Sequence, residues 1–469
     1  MRIKLKRIAS CLVVVCLTVT MLTGLTIITE NKGSRQKFMQ FFSQEADFDV
    51  LFMGSSKVIN GILPMELWND YGIISYNMGG HANSIPTSYW VLRNALNYTT
   101  PKCVVFDCSG AGSNNMISSK FDYAHLSFDA FPLSPTKVQA VLDLVTPDAW
   151  ENVRAKRMEL LWNFSIYHSN WNAVSLVDFN PLFTYQKGAE PRPNVSLPAK
   201  SATVSPNLRR TPNTKGMEYL IKAIELCKER NIHVILIHLP YPSDEGTLIT
   251  ANTVSDIATD YDVEYLNFFN LDIVNYQTDM YDPNSHLNPS GAYKITDFLG
   301  TVLSQKYGIP DQRNHPDYQS WHNDAQMYRQ EKITQFEKTT SAWNYWMLLS
   351  DDDFSFVAEL SKSDLLQDST LTALLCNAGI QTDEVTEQCI IAADRSSGTV
   401  SCIDRGTLLE GPIETSIGTL SLEEDSLRWN GQECWQYPAA MNFLLLDTDG
   451  NLLGTSCFSS DNIQSEHAD

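Results

Sequence analysis

Five short apolar runs constrain this chain more than any other feature: 50–53 (VLFM), 73–77 (IISYN), 103–107 (CVVFD), 233–238 (HVILIH) and 263–267 (VEYLN). Each is too brief for a helix and rich in β-formers, the pattern of strands buried on both faces. Stretches with helical spacing lie between them, at Leu63–Tyr71, Pro86–Asn97, Met217–Arg230 and Thr247–Tyr261. Strand and helix in alternation call for a parallel sheet covered by helices. The length predicts two or three domains, and 43% hydrophobic with 19% charged residues is the composition of a folded chain.

Gly54 ends the first run, and Ser55 and Ser56 follow at once. Side chains just past the carboxyl end of such a strand face the ligand crevice. Ser56 is therefore placed to be a nucleophile, although a helix cap is the blander reading of the same residue. Far along the chain, Tyr281–Gly291 (YDPNSHLNPSG) holds His286 with Asp282 four residues earlier, ahead of an amphipathic helix over Gly291–Tyr307. A strand-end serine followed late by Asp and His is the order of lipase-like serine hydrolases.

These blocks, with Tyr76-Asn77-Met78-Gly79-Gly80 between them, make the segment from about Asp47 to Tyr307 resemble the SGNH (GDSL) hydrolase superfamily. The resemblance is closest to membrane-anchored members, including the teichoic-acid D-alanylation and alginate-acetylation relatives, where Gly-Ser-Ser replaces Gly-Asp-Ser. It implies a flavodoxin-like three-layer α/β fold around a parallel sheet. It also implies roles: Ser56 as nucleophile, His286 as base and Asp282 as the acid that orients the base. The implied oxyanion donors are the Ser56 N–H and the turn holding Gly80, Ala82 and Asn83.

Three positions depart from the family pattern. The acid usually stands three residues before the histidine, where this chain has Pro283; Asp282 is one further back and Asp279 is the fallback. The oxyanion glycine aligns with Ala82. The third-block Asn has two candidates, Asn114 in Gly112-Ser113-Asn114 and Asn83. Lys57 is expected to be exposed. His125 and His168 read as packing or hydrogen-bonding residues, since no motif surrounds them. His238, at a strand end, could border the cleft but reads rather as a residue supporting it.

Arg2, Lys4, Lys6 and Arg7 precede an apolar run from Ile8 to Ile28. That run is long enough to span a bilayer, which takes about 20 residues, and its basic flank should stay cytoplasmic. The expectation is an uncleaved single-pass anchor with the rest of the chain outside the cell membrane. A cleaved signal peptide is the rival, but no small-x-small cleavage site precedes Glu30. A formal net charge of -21 excludes nucleic acid as a partner.

Residues 1–30 then form the anchor, 31–45 a polar spacer, 46–308 the hydrolase-like domain, 309–350 a helical linker and 351–460 a small α/β or β-rich module. Within the 46–308 domain, 110–213 is a strandless insertion, the length of a lid or substrate wall. In the linker, Ala325–Leu349 reads as one long helix. In the module, Asp447-Thr448-Asp449-Gly450 marks a hairpin, and Asp351-Asp352-Asp353 reads as a solvated turn. The ten cysteines include no CxxC pair, so neither a zinc site nor any other cofactor is expected.

Two function classes remain open at this point. One is an acyl-transfer enzyme, an esterase or an O-acyltransferase acting on acetyl or alanyl esters of cell-envelope glycans. As a transferase it would draw on a membrane-bound O-acyltransferase as donor partner. The other is a non-catalytic adaptor that keeps the fold to hold such a partner or a glycan.

Overall fold

The computed structural model describes residues 2–30, 32–44, 46–179, 184–360, 366–383, 385, 389–423, 426–435 and 440–459. The five apolar runs become β1 (Val50–Met53), β2 (Ser75–Asn77), β3 (Cys103–Asp107), β4 (His233–His238) and β5 (Glu264–Asn267). They form one sheet in the order β2-β1-β3-β4-β5, with every pair parallel. The pleat explains why the runs read as continuously apolar. Leu51 and Met53 enter one core with Tyr76, Val104 and Phe106. Val50 and Phe52 enter the opposite core with Val105, Ile235 and Ile237.

Helices Ile85–Ala95 and Lys215–Glu229 cover the first face, and Ser56–Gly61 and Pro289–Thr301 the second. The chain steps from β1 outward to β2, then crosses back to β3. The crevice between the carboxyl ends of β1 and β3 is therefore the switch point where α/β sheets place ligands.

At the amino end, Lys6–Thr29, within the helix Arg2–Thr29, is the one described segment long and apolar enough to cross a membrane. The stretch expected to be a spacer is a helix, Lys32–Ser43. Its Phe38 and Phe41 are buried against Phe131, Phe48 and Tyr76, so aromatic packing draws it into the domain.

The insertion 110–213 holds helices and coil and no strand among the described residues. Its Pro- and Asn-rich part runs across the carboxyl edge of the sheet. Lys187 O accepts from Asn77 N at 2.9 Å, and Ser196 N and Ala199 N reach Met280 O and Pro283 O at 3.0 and 2.8 Å.

The long linker helix divides into Ser320–Lys338 and Ala342–Leu348. Thr339 and Thr340 are poor helix formers, and Ser341 caps the second helix by accepting from Asn344 N at 3.3 Å. Beyond it lie two antiparallel sheets. β6 (Ser355–Leu360), β7 (Cys389–Asp394), β8 (Thr399–Asp404), β13 (Met441–Leu446) and β14 (Leu452–Phe458) pair in the order β14-β13-β6-β7-β8. β9 (Ile413–Glu414), β10 (Thr419–Glu423), β11 (Ser426–Trp429) and β12 (Gln432–Trp435) form the second.

Alternate residues of β13 explain the layering: Phe443 and Leu445 pack on the helix Ala342–Leu348, and Leu444 and Leu446 on β10 and β11. The β13–β14 turn closes at Asp447–Gly450, with Gly450 at φ +81°. All ten cysteines are free thiols.

The acidic run is not a solvated turn. Asp351 and Asp353 bind the buried Lys332 ammonium at 2.6 and 2.5 Å, and Glu66 of the first domain binds it at 3.0 Å. The three carboxylates are close enough to hold a metal ion, but the lysine already occupies their centre.

Candidate active site

The capping role weighed for Ser56 falls to Ser55 instead. Ser55 is the N-cap of the helix Ser56–Gly61, its side chain accepting from Lys57 N. Ser56 is the first helical residue, free of capping duty, at the mouth of the crevice. Gly54 is needed beneath it by close approach: a Cβ there would lie 2.5 Å from Val58 Cγ2 and 2.8 Å from Asp107 Cβ.

The residues 230 positions apart meet. Ser56 Oγ lies 2.8 Å from His286 Nε2, and His286 Nδ1 bonds Asp282 Oδ2. A carboxylate only accepts, so Nδ1 carries the proton and Nε2 is left to accept from the serine hydroxyl. The other oxygen, Asp282 Oδ1, accepts from Asn284 N and Ser285 N at 2.9 and 2.7 Å. That Asx-type turn takes up the extra residue, Pro283, and brings an aspartate four positions back onto the imidazole. Partial burial works to raise the Asp282 carboxyl, but the His286 bond and the two amides outweigh it and pull the pKa down to about 2. The carboxylate therefore stays ionised throughout the working range.

Asp279, the fallback acid, is fully buried and committed elsewhere. It accepts from Ser290 Oγ, Asn275 N and Lys294 Nζ at 2.9, 2.9 and 2.7 Å. It anchors the loop rather than the histidine. The loop is closed by a bridge between Met280 and Leu287, and Asn194 Nδ2 and Ser196 Oγ both donate to Tyr281 O.

The turn expected to hold the oxyanion donors differs from expectation at one residue. The Gly80 N–H donates to Gly54 O at 3.0 Å, which ties the turn to β1 and leaves no donor for a ligand. Among the described residues the Ser56 and Ala82 N–H groups have no acceptor. Ala82 sits at φ +49°, the left-handed region that favours glycine, which is why a glycine position aligns with it.

Asn83 supplies its side chain. Ser127 Oγ donates to Asn83 Oδ1 at 2.8 Å, which assigns the amide orientation, and Asn83 Nδ2 is buried without a partner. A Cβ on Gly80 would stand 2.2 Å from that nitrogen, so Gly80 makes room for the amide. The other Asn candidate lies elsewhere: Asn114 is exposed, at the start of the helix Lys215–Glu229, where its Oδ1 accepts from Lys215 N at 3.0 Å. Asn77, which sequence reasoning passed over, ties the turn to the nucleophile helix through Nδ2 to Val58 O and Ile62 O at 2.7 and 2.9 Å.

Lys57 is not exposed. It folds back over the Tyr241 ring, 4.3 Å from its centroid. Burial lowers its pKa, while the Asp107 and Asp282 charges oppose the shift. Burial raises the Asp107 carboxyl in turn. Tyr241 follows β4, out of sight of any local pattern around Lys57, so only the fold brings them together.

His238 is fully buried and bonds Tyr265 Oη at 3.0 Å. Burial, then the nearby Lys57 charge, drive its pKa down to about 3, so it is neutral. His125 pairs with Asp129 at 3.0 Å inside the insertion, and His168 Nδ1 lies 3.1 Å from Phe164 O on the surface.

A cavity of about 710 Å3 opens beside the turn. Gly80 and His81 form its inner wall, Gln36 and Lys37 one side, and Gln330 and Gln335 another. Ser56 and His286 do not line it, so it adjoins the serine through the Gly80–His81 turn. Compared with protein-family models, curated proteins and solved structures, the chain matches none of them.

Proposed function

We propose that this chain is an extracytoplasmic serine acyl-transfer enzyme of the SGNH type, acting on acyl esters of cell-envelope glycans. The observation that carries the reading is the chain of contacts Ser56 Oγ–His286 Nε2 and His286 Nδ1–Asp282 Oδ2. Three residues that could each have a bland role elsewhere are aligned as nucleophile, base and orienting acid. The strand order β2-β1-β3-β4-β5 supports the fold assignment.

In the first half-reaction Ser56 Oγ attacks the acyl carbonyl carbon while His286 Nε2 takes the hydroxyl proton. The carbonyl oxygen becomes an oxyanion stabilised by the Ser56 N–H, the Ala82 N–H and Asn83 Nδ2. The ester C–O bond then breaks, and His286 returns the proton to the leaving alcohol, leaving acyl-Ser56. In the second half, water or a glycan hydroxyl gives its proton to His286 and attacks the acyl carbon; the bond from that carbon to Ser56 Oγ breaks, and His286 returns the proton to Ser56 Oγ. Water makes the enzyme an esterase. A sugar hydroxyl makes it an O-acyltransferase, in which case a membrane-bound O-acyltransferase is the donor partner.

The adjoining cavity carries amide and hydroxyl groups, among them Gln36, Gln330, Thr334 and Gln335, that can pair with the hydroxyls of a polyol, set in a wall that is otherwise largely apolar. The segment Lys6–Thr29 supports a single-pass anchor that leaves the domain outside the membrane.

A serine-directed fluorophosphonate tests the reading. The purified chain should be labelled, Ser56→Ala should abolish labelling, and Ser55→Ala should keep it. Absence of labelling and of turnover on aryl acetates in a folded wild-type chain would leave the adaptor reading in place.

A further inference from the structure

We infer that the segment Trp162–Phe179 of the insertion is a second membrane contact, seated in the outer interfacial layer of the bilayer that Lys6–Thr29 crosses. The inference rests on the anchor reading of that helix and is independent of the chemistry proposed for Ser56.

The segment is physically joined to the outer end of the helix. The short helices Phe164–Tyr167 and His168–Ala173 pack against Arg2–Thr29, and Asn170 Nδ2 donates to Thr29 O at 3.0 Å. That carbonyl belongs to the last turn, whose oxygens have no intrahelical donor. Side chains of residues 6–21 are exposed, whereas Leu22, Gly24, Thr26 and Ile28 are half covered.

A 24-residue span rises about 36 Å, against a hydrocarbon core of about 30 Å. Its last turns therefore lie at the outer boundary, and whatever packs on them lies at the same depth.

What packs there is apolar and open. Trp171 is 75% exposed, Leu176 88%, Phe179 63% and Trp162 47%. Trp162 stands on the Phe164 ring, 6.0 Å between centroids, so it belongs to the same unit. In water, side chains of this size in one short segment mark an interaction surface. Beside a spanning helix, tryptophan favours the interfacial layer. Residues 162–179 (WNFSIYHSNWNAVSLVDF) contain no Lys or Arg and one acidic residue, Asp178. The contact is therefore with the lipid interface itself and needs no anionic headgroups.

The segment is also tied to the site. Tyr167 Oη donates to Asp129 Oδ2 at 2.7 Å, and Asp129 bonds His125. His125 shares the helix Asp122–Phe128 with Ser127, which holds Asn83. Two attachments, one helix and one aromatic face, fix the orientation of the crevice above the membrane.

The spanning helix contains no tryptophan, so lipid-borne quenchers report only on the rest of the chain. The full-length protein is placed in phosphatidylcholine nanodiscs whose acyl chains carry bromine near the headgroup. Bromolipid should quench part of the tryptophan emission, and raising the salt should leave this unchanged. Trp162→Phe with Trp171→Phe should remove most of the quenching while the far-UV circular dichroism stays that of wild type. Equal quenching in the double variant overturns the inference. Absence of quenching in a chain that is in the discs does so too, and means that the face stands clear of the lipid. A chain that does not enter the discs removes the anchor reading, and this inference with it.

Discussion

Lys37, eight residues beyond the end of the apolar amino-terminal helix, donates its ammonium to the carbonyl oxygen of Gly79, in the turn proposed to hold the oxyanion donors. Tyr76 Oη closes the contact by donating to Lys37 O. The helix next to the anchor is thus part of the wall of the site. Burial lowers the Lys37 pKa to about 8, against the charge of Glu190. Lys37→Met should leave Gly79 O unpaired, cost about 1–3 kcal/mol of stability and lower kcat by loosening the turn. Thermal unfolding and steady-state kinetics check the two effects together, and a turn unaffected by the change would leave kcat at the wild-type value.

Asn83 gives the sharpest test of the oxyanion turn. Loss of one such donor costs about 10²–10³ in kcat, so Asn83→Ala should fall by that factor with KM little changed. Gly80→Ala should behave alike, because its Cβ would displace the Asn83 amide. A Gly80→Ala enzyme with wild-type kcat would mean that Asn83 Nδ2 does not serve the transition state.

The two aspartates of the histidine loop should separate by kind of defect. Asp282→Asn removes the acceptor that sets the His286 tautomer and should lower kcat by about 10⁴, with a small change in melting temperature. Asp279→Asn turns the Oδ2 acceptor into a donor, which breaks the pair with Lys294 and the bond from Asn275 N while Oδ1 still accepts from Ser290 Oγ. It should lower the melting temperature and leave kcat nearly intact at permissive temperature.

Removing Lys332 leaves Glu66, Asp351 and Asp353 facing one another across the junction of the first domain and the C-terminal module. Lys332→Met should destabilise the chain by about 3–5 kcal/mol, the cost of an uncompensated buried charge. The same cluster sets a pH dependence. Burial pushes the Asp351 carboxyl up to about 7 and raises Glu66, with Lys332 opposing both shifts. A carboxyl whose folded pKa lies above its unfolded value binds more protons when folded, so this contribution to stability is present below about pH 4 and lost as the pH rises toward 7. Melting temperatures between pH 5 and 8 should show a decline that Asp351→Asn flattens; an unchanged slope would assign the decline to other groups.

Much of the architecture was legible locally because its causes are local. A four-residue apolar run between polar flanks can satisfy its backbone and bury both faces only inside a sheet. Hence the runs at 50–53, 103–107 and 233–238 identified the parallel core without any knowledge of their partners. The single helix expected over Ala325–Leu349 failed for a local reason too, since Thr339 to Ser341 carry the stop and the next cap. The packing of the aromatic stretch 31–45 was not legible because Phe38 and Phe41 are covered by Phe131, Phe48 and Tyr76, which the fold brings from elsewhere in the chain.

The sequence by itself determined the sheet, the apolar amino-terminal helix, and the types and order of Ser56, Asp282 and His286. Tertiary structure alone decided which aspartate serves the histidine, because Pro283 disturbs the usual spacing and only the Asx turn, the Met280–Leu287 bridge and the strap at 194–199 close the loop. It also decided that Asn83 Nδ2 is buried without a partner while the Gly80 N–H is paired, that Asn114 is held at the start of the helix Lys215–Glu229, and that Lys57 lies over Tyr241 rather than in water. Each of these depends on which polar groups are already paired, and pairing across two hundred residues is set by how the chain packs, not by its local pattern.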